Sequence, residues 1–391
     1  MQKKYLEILV DKQNEKGPAI FNEILVILHK AFATQDAKNS FTFEITKVGN
    51  RIRFFLICPQ KYSNFLKNQV YAHFNNVEIY EVWDYLEKIP AEKISVGTVK
   101  TGRHFLYSLK TFEDPGVSAG WKGAEVDPFS SLTWALGKTW KYTLNTFQVI
   151  FRPTQSRKWK KDAKRTIKIL TSGYPNFLKN ILLHPSFRYI KILFFPFILL
   201  GKLLKLLLSR ESEEQASPQA EESSSWDQTK DILENPDKID PKFLTKLANE
   251  GYEVDINIVC AGEDDVEVRS AIKEIASTLS VYTQFGQNKL ILQRISKNIS
   301  DVLRVKERRL EFKNILSTPE LAGFVHLPTN YVKTPYINWV SSRAFEPPSN
   351  LPIIDPDLTD NHTPDTNLTP IGKTNFRGTD MSFGMWPDDR R

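Results

Sequence analysis

Apolar positions in the first ninety residues change period several times, and each change marks an element. Leu6, Ile8 and Val10 alternate, which predicts a strand. Beyond the Gly17-Pro18 breaker, the pairs Ile20/Phe21, Ile24/Leu25, Ile27/Leu28 and Ala31/Phe32 recur at helical spacing. Phe41, Phe43 and Ile45 alternate again up to Gly49-Asn50, a dipeptide suited to a hairpin turn. Ile52, Phe54, Leu56 and Cys58 then share one face of a returning strand. A helix through Phe65, Leu66, Val70 and Phe74 follows, and Val77 and Ile79 open a last strand. Cys58 reads as a buried core thiol, and His73 as a packing residue beside the apolar helix face.

The same alternation returns further along, in two pieces. Residues 98–112 read as a strand. Asp127-Pro128 offers a cap and a first-turn proline to a helix through Phe129, Leu132 and Leu136, and Tyr142 to Phe151 reads as a strand. Much later Val254, Ile256, Ile258 and Cys260 alternate, a helix carries Ile272, Ile275, Ala276 and Leu279, and Leu290 and Leu292 mark a strand. Glu263, Asp264 and Asp265 stand where that helix begins and favour its dipole, a better reading than a metal cluster. Each set is strand-helix-strand twice over, which is the ferredoxin-like plan. The expected architecture is α+β: a ferredoxin-like domain over 1–92 and a second one in halves, 93–152 and 241–297. An insert (153–210) and an acidic linker (211–240) would separate the halves. Residues 298–391 would form a short helix, with capping-box spacing between Ser317 and Glu320, and then an extended segment.

Charge sharpens this division. The 391 residues hold 53 basic and 46 acidic side chains, a formal charge of +7. Fourteen Lys/Arg against the single acid Asp162 lie between Arg152 and Arg210, so that stretch carries +13 and everything else −6. Residues 211–229 hold six acids and no base, a composition that predicts disorder. A local anionic partner is expected, rather than a generally basic protein. Two cysteines, Cys58 and Cys260, make neither a disulfide framework nor a zinc site, and a reducing compartment is the default. Met-Gln-Lys-Lys-Tyr is followed by no apolar run, so no secretory signal is expected.

The insert has two parts. Arg157, Lys158, Trp159, Lys160, Lys161, Lys164, Arg165 and Lys168 form a basic helix candidate. Then Tyr189 to Leu208, flanked by Arg188 and Arg210, is apolar apart from Lys191, Lys202 and Lys205, which share one helical face. Its uninterrupted run from Ile192 to Gly201 is only ten residues, short of the roughly twenty that span a bilayer. With Phe194, Phe195 and Phe197 in the apolar block and Pro196 as a kink, the segment suits a helix lying in the headgroup region with its lysines snorkelling. A spanning insertion and a soluble partner helix are the alternatives. Nucleic acid would explain the charge but not the aliphatic run, whereas anionic lipid explains both.

Motifs for catalysis are matched only superficially. Gly116-Val-Ser118-Ala-Gly120 has nucleophile-elbow spacing, but Glu113-Asp114-Pro115 before it and Trp121-Lys122-Gly123 after it read as loop. The six histidines (His29, His73, His104, His184, His326 and His362) include no pair at helical metal-binding spacing. Gly372-Lys373-Thr374 resembles the end of a phosphate loop, yet Asn367 replaces the required first glycine. No cofactor, metal site or enzymatic activity is expected.

Several stretches do resemble a known group. Ile315 to Pro328 resembles the segment leading into the motor of conjugative type IV secretion ATPases of the HerA–FtsK superfamily. Ile371 to Arg391 is similar to the strand and charged turn before that family's P-loop. Asp127-Pro128, Gln148 to Pro153 and Tyr252 to Cys260 resemble its N-terminal region, most closely in membrane-associated forms of small-genome bacteria. The resemblance implies a motor beginning just after a pair like Arg390-Arg391, where this sequence stops, so none of the family's catalytic residues carries over. It implies a non-catalytic N-terminal platform, truncated or split from its motor. The platform would dock on anionic lipid at the cytoplasmic face of the cell membrane and meet the motor and channel components, with homo-oligomerisation possible. A single-stranded nucleic-acid adaptor using the basic helix is the runner-up.

Overall fold

The computed structural model describes residues 2–33, 39–114, 127–138, 144–171, 240–311, 314–341, 345–348, 350–354, 368–377 and 379–389. Its elements in chain order are β1 (Lys3–Val10), α1 (Pro18–Phe32), β2 (Phe41–Val48), β3 (Arg51–Pro59), α2 (Ser63–His73), β4 (Val77–Val82) and β5 (Ile94–Thr101). There follow α3 (Phe129–Gly137), β6 (Leu144–Pro153), α4 (Ser156–Thr171), α5 (Pro241–Ala248), β7 (Gly251–Ala261), α6 (Asp265–Thr278) and β8 (Leu290–Ser296). Last come α7 (Ile299–Lys306), β9 (Asn314–Ser317), α8 (Thr318–Ala322), β10 (Ile353–Ile354), β11 (Thr369–Phe376) and β12 (Thr379–Met385).

The fold is α+β, built on one large antiparallel sheet. Its strand order is β4-β1-β3-β2-β6-β7-β5-β8, with β9 also paired to β7. Both sets of strands read from the sequence therefore lie in a single sheet, joined where β2 pairs antiparallel with β6 from Phe41↔Phe151 to Lys47↔Asn145. Alternation explains the two faces. Phe43, Ile45, Phe54, Phe147, Val149, Ile256 and Ile258 point to one side, into an apolar core shared with α1, α2, α3, α6 and α8. Residues one step out of phase point to the other side, which α7 and the segment before β5 cover through Leu86, Val302 and Val305.

That second face carries a buried polar layer across the β2–β6 seam. Glu44 accepts from Tyr85 (2.8 Å), Gln148 (2.7 Å) and Arg308 (3.1 Å), and Thr46 meets Thr146 at 2.6 Å. Arg304 donates to Asp255 (2.7 Å) and Asn257 (3.0 Å), and Arg308 also grips Asp84 (2.8 Å). Arg304, Glu44 and Asp255 are wholly buried, so each charge is held only because its partner is present. Burial pushes Tyr85 well above the usual phenol range, and the Glu44 carboxylate adds to it.

Some expectations need correction. Residues 98–112 are not one strand: β5 ends at Thr101, and 103–112 is irregular chain. The short helix expected after Ser317 is only the five residues of α8, and Phe324 and Val325, both buried, lie beyond its end. Other expectations hold. His73, read as packing beside the apolar face of α2, is half-buried at the end of that helix with its Nδ1 2.8 Å from the Gln69 carbonyl, which fits that reading. Cys58 and Cys260 are buried thiols, Asp264 caps α6 by accepting from the Val266 amide, and Ser317 and Glu320 form the capping box. Gly372-Lys373-Thr374 lies inside β11, a hairpin strand paired with β12. The Gly116–Gly120 motif lies outside the described residues.

Candidate functional site

The site is the root of the basic insert. β6 ends at Pro153, opposite Tyr252 at the start of β7, and the Thr154 amide and hydroxyl both donate to the Gly251 carbonyl at 3.0 Å. The chain thus leaves and re-enters the sheet through two adjacent strand ends. α4 begins two residues later. Trp159, Ala163 and Ile167 recur at i, i+4, i+8 and are all at most 2% exposed. Ala163 and Ile167 pack with Leu106 and Phe243, and Trp159 lies edge-on to Phe105 at 6.5 Å. The indole lies so close to the backbone that a β-carbon on Gly251 would come within 2.8 Å of it.

α5, on the far side of the insert, completes the root. Asp240 caps it by accepting from the Lys242 amide (2.9 Å), and the Asp240 carboxylate also accepts from Gln287. Phe243 meets Tyr107 edge-on at 5.3 Å. Lys246 stands 2.9 Å from the Glu320 carboxylate, with both side chains almost fully buried. Glu320 accepts in addition from the amides of Leu109 (2.7 Å) and Ser317 (2.8 Å). One carboxylate therefore joins α5, the 103–112 chain and α8. Burial lowers the Lys246 pKa while Glu320 opposes the shift. Burial, then the Lys246 charge, pushes His104 down to about 4.

With its apolar stripe spent on the body, α4 turns its charge outward. Lys161, Arg165 and Lys168 are exposed, and Lys160 and Lys164 are half-buried. Arg157 and Lys158 belong to the same helix. Trp159, grouped with these cations in the sequence, is separated from them by the fold and faces inward. The membrane-interface residues expected from the sequence, Arg188, Lys191, Phe194, Phe195, Phe197, Lys202, Lys205 and Arg210, lie outside the described residues. Among the described residues no helix is long and apolar enough to cross a membrane, and no group of three or more His, Cys, Asp or Glu could hold a metal ion.

Sequence reading missed the Lys246–Glu320 pair and the polar layer beneath α7. Its partners are far apart in the chain, and only the capping-box spacing of Glu320 hinted at a role. A second buried tie fixes the segment after α8. His326 lies 3.2 Å from Asp127 and stacks on Phe129 at 3.7 Å, and Thr329 donates to the same Asp127 carboxylate. Each of these clusters is closed by its own partners and holds elements together. The face that points outward is that of α4.

No curated protein matches the chain. The family model described as Domain of unknown function (DUF8128) matches residues 10–340, and the chain belongs to that family.

Proposed function

We propose that the chain is a non-catalytic membrane-docking platform, serving a conjugative type IV secretion or DNA-translocation ATPase at the cytoplasmic face of the cell membrane. The observation that carries this reading is the division of labour on α4. Its apolar stripe is locked into the body, while Lys161, Arg165 and Lys168 are exposed and Lys160 and Lys164 are half-buried. This happens where the chain departs for the Arg188–Arg210 segment. Basic residues beside an apolar stretch suit an anionic leaflet, each Lys or Arg near the surface contributing ~1 kcal/mol. The link to a secretion motor rests on the resembling sequence stretches alone.

We read the body as two ferredoxin-like halves fused edge to edge. The order β4-β1-β3-β2 is repeated by β8-β5-β7-β6, each half being strand-helix-strand-strand-helix-strand in sequence. In this reading the insert occupies the position that a two-residue hairpin fills in the first half.

Vesicle flotation tests the docking. The structure sharpens the deletion: removing α4 would uncover Leu106 and Phe243, so residues 172–210 alone should be removed. A second variant exchanges Lys160, Lys161, Lys164, Arg165 and Lys168, five of the seven α4 cations, for glutamine. Each should lose most binding to anionic vesicles, and unchanged binding in both would sink the reading. The rival, a single-stranded nucleic-acid adaptor, would show salt-dependent oligonucleotide shifts without lipid binding. It is weakened because Trp159, the one aromatic of α4, is buried against Phe105 rather than available to stack on bases.

A further inference from the structure

We propose that the turn Gln284–Gln287 is a second contact with the membrane, in which Phe285 enters the headgroup region of an anionic leaflet while Arg103 and Lys289 meet its phosphates. The inference rests on the docking reading above and adds a point of attachment on the body itself, apart from the insert. The turn is built to hold its corner outward. The Gln287 amide donates to the Gln284 carbonyl at 3.0 Å, and Gly286 supplies the left-handed residue (φ 73°) that such a turn requires. That leaves Phe285 at the corner, where small polar residues are usual. It is 100% exposed, more than any other large apolar side chain among the described residues. A ring that buries nothing adds nothing to the fold.

The turn is also braced. The Gln284 amide donates to the Asn288 carbonyl (2.9 Å), the Asn288 amide to the Ser108 carbonyl (3.1 Å), and the Gln287 side chain to Asp240, the cap of α5. Asn288 accepts from the Arg103 amide (2.9 Å) and donates to the Tyr107 carbonyl (3.0 Å). α4 packs on this same 103–108 chain through Phe105 and Leu106, so the turn and the insert root share one support. The cations stand at the corner itself. The Arg103 guanidinium donates to the Gly286 carbonyl at 2.7 Å and is exposed, and Lys289, also exposed, runs its side chain along Gly102. An apolar ring held out from a rigid turn beside two cations matches an interface with anionic headgroups over an apolar acyl boundary. Two contacts on one support fix how the sheet faces the membrane, which one attachment alone does not.

The test uses the full chain and vesicles of seven parts phosphatidylcholine to three of phosphatidylglycerol. Phe285→Ala should weaken binding about tenfold and Phe285→Trp should keep the parent's affinity, with the unfolding midpoint unchanged in both. Arg103→Gln and Lys289→Gln should each cost about fivefold, a loss that fades in ~1 M salt while the effect of Phe285→Ala persists. A small environment-sensitive dye on Phe285→Cys reports insertion directly, since Cys58 and Cys260 are buried. Its emission should shift to the blue with vesicles, and the same dye on Asn50→Cys, at the exposed β2–β3 turn, should not shift. Vesicle binding that is equal in the parent and Phe285→Ala, with no shift at position 285, overturns the second contact and leaves docking through the insert standing. A parent chain that binds no vesicles sinks the docking reading and this one with it.

Discussion

Two connections in the sheet occupy corresponding places and could hardly differ more. β2 passes to β3 through Gly49 and Asn50, with Val48 already paired to Arg51. β6 passes to β7 through everything from Thr154 to Glu250, yet Pro153 and Tyr252 are paired just as closely. Loop-closure entropy explains why both are tolerated, since each doubling of a loop adds only ~0.6 kcal/mol. The β6–β7 ladder runs from Leu144↔Ala261 to Pro153↔Tyr252 and is anchored by buried apolar side chains on both faces. The short turn serves the fold alone. The long connection is free to carry charge and apolar surface, provided that its two ends are tied down.

The tie is where the two connections can be separated most forcefully. At the insert root the charges of Lys246 and Glu320 are buried together. Lys246→Met or Glu320→Leu should each destabilise the protein by ~3–5 kcal/mol, because each leaves a buried charge unmatched. The pair Lys246→Met with Glu320→Leu should recover part of that loss, although the Leu109 and Ser317 amides lose their acceptor. Urea unfolding of the four chains measures this as a double-mutant cycle, and additive losses would show that the two side chains act independently.

Glycines at the two connections give the next contrast. Gly49 has φ 61° with open space around it, so Gly49→Ala meets only the left-handed backbone penalty, about 1 kcal/mol. Gly251→Ala places a β-carbon 2.8 Å from the buried indole of Trp159 and 3.1 Å from Thr154 Oγ1. Overpacking of that kind costs roughly 1–3 kcal/mol. Gly251→Ala should therefore be the more damaging, and Trp159→Phe in the same chain should relieve it. Equal midpoints for the two alanine variants would contradict the close approach.

Acidity probes the insert root from another side. His104 is held neutral by burial and by Lys246, with its pKa pushed from 6.5 to about 4. The unfolded chain binds a proton there first, so the stability it allows is complete above pH 6.5 and is lost as pH falls toward about 4. A loss of roughly 1–3 kcal/mol over that window is expected. His104→Phe should flatten the profile between those limits, while the Gly49 turn, which has no titrating group, contributes nothing to it.

How far the sequence reveals this molecule depends on whether the partners are near in the chain. Alternation in Phe41–Ile45 and Ile52–Cys58 was enough for a hairpin, because strand pattern and turn residues lie side by side. The stretch 103–112 misled, since Leu106 and Leu109 are buried and Phe105 is half-buried although the chain there is no strand. Their backbone is instead satisfied by side chains from far away: Asn288 accepts from the Arg103 amide and donates to the Tyr107 carbonyl, and Glu320 receives Leu109. The polar positions of β2 and β6 were equally opaque. Glu44 and Gln148 carry no pattern that names their partners, which are Arg308 and the Val305 carbonyl of α7. For the site, composition located the charge on α4, but only packing shows which side of the helix it leaves exposed.

The smallest expected effect on stability is also the most discriminating. Lys161, Arg165 and Lys168 are exposed on α4, and surface substitutions of this kind usually stay within ±0.5 kcal/mol. Replacing all three by glutamine should leave the unfolding midpoint nearly unchanged. A structural role for the helix alone would end there. A docking role requires that the same variant lose most of its affinity for anionic vesicles, and that the residual binding depend less steeply on salt. Trp159→Ala makes the opposite cut, removing packing at the root and lowering stability by ~3–5 kcal/mol while the cations remain. Binding that follows the cations rather than the midpoint assigns the outer face of α4 to the partner and its inner face to the fold.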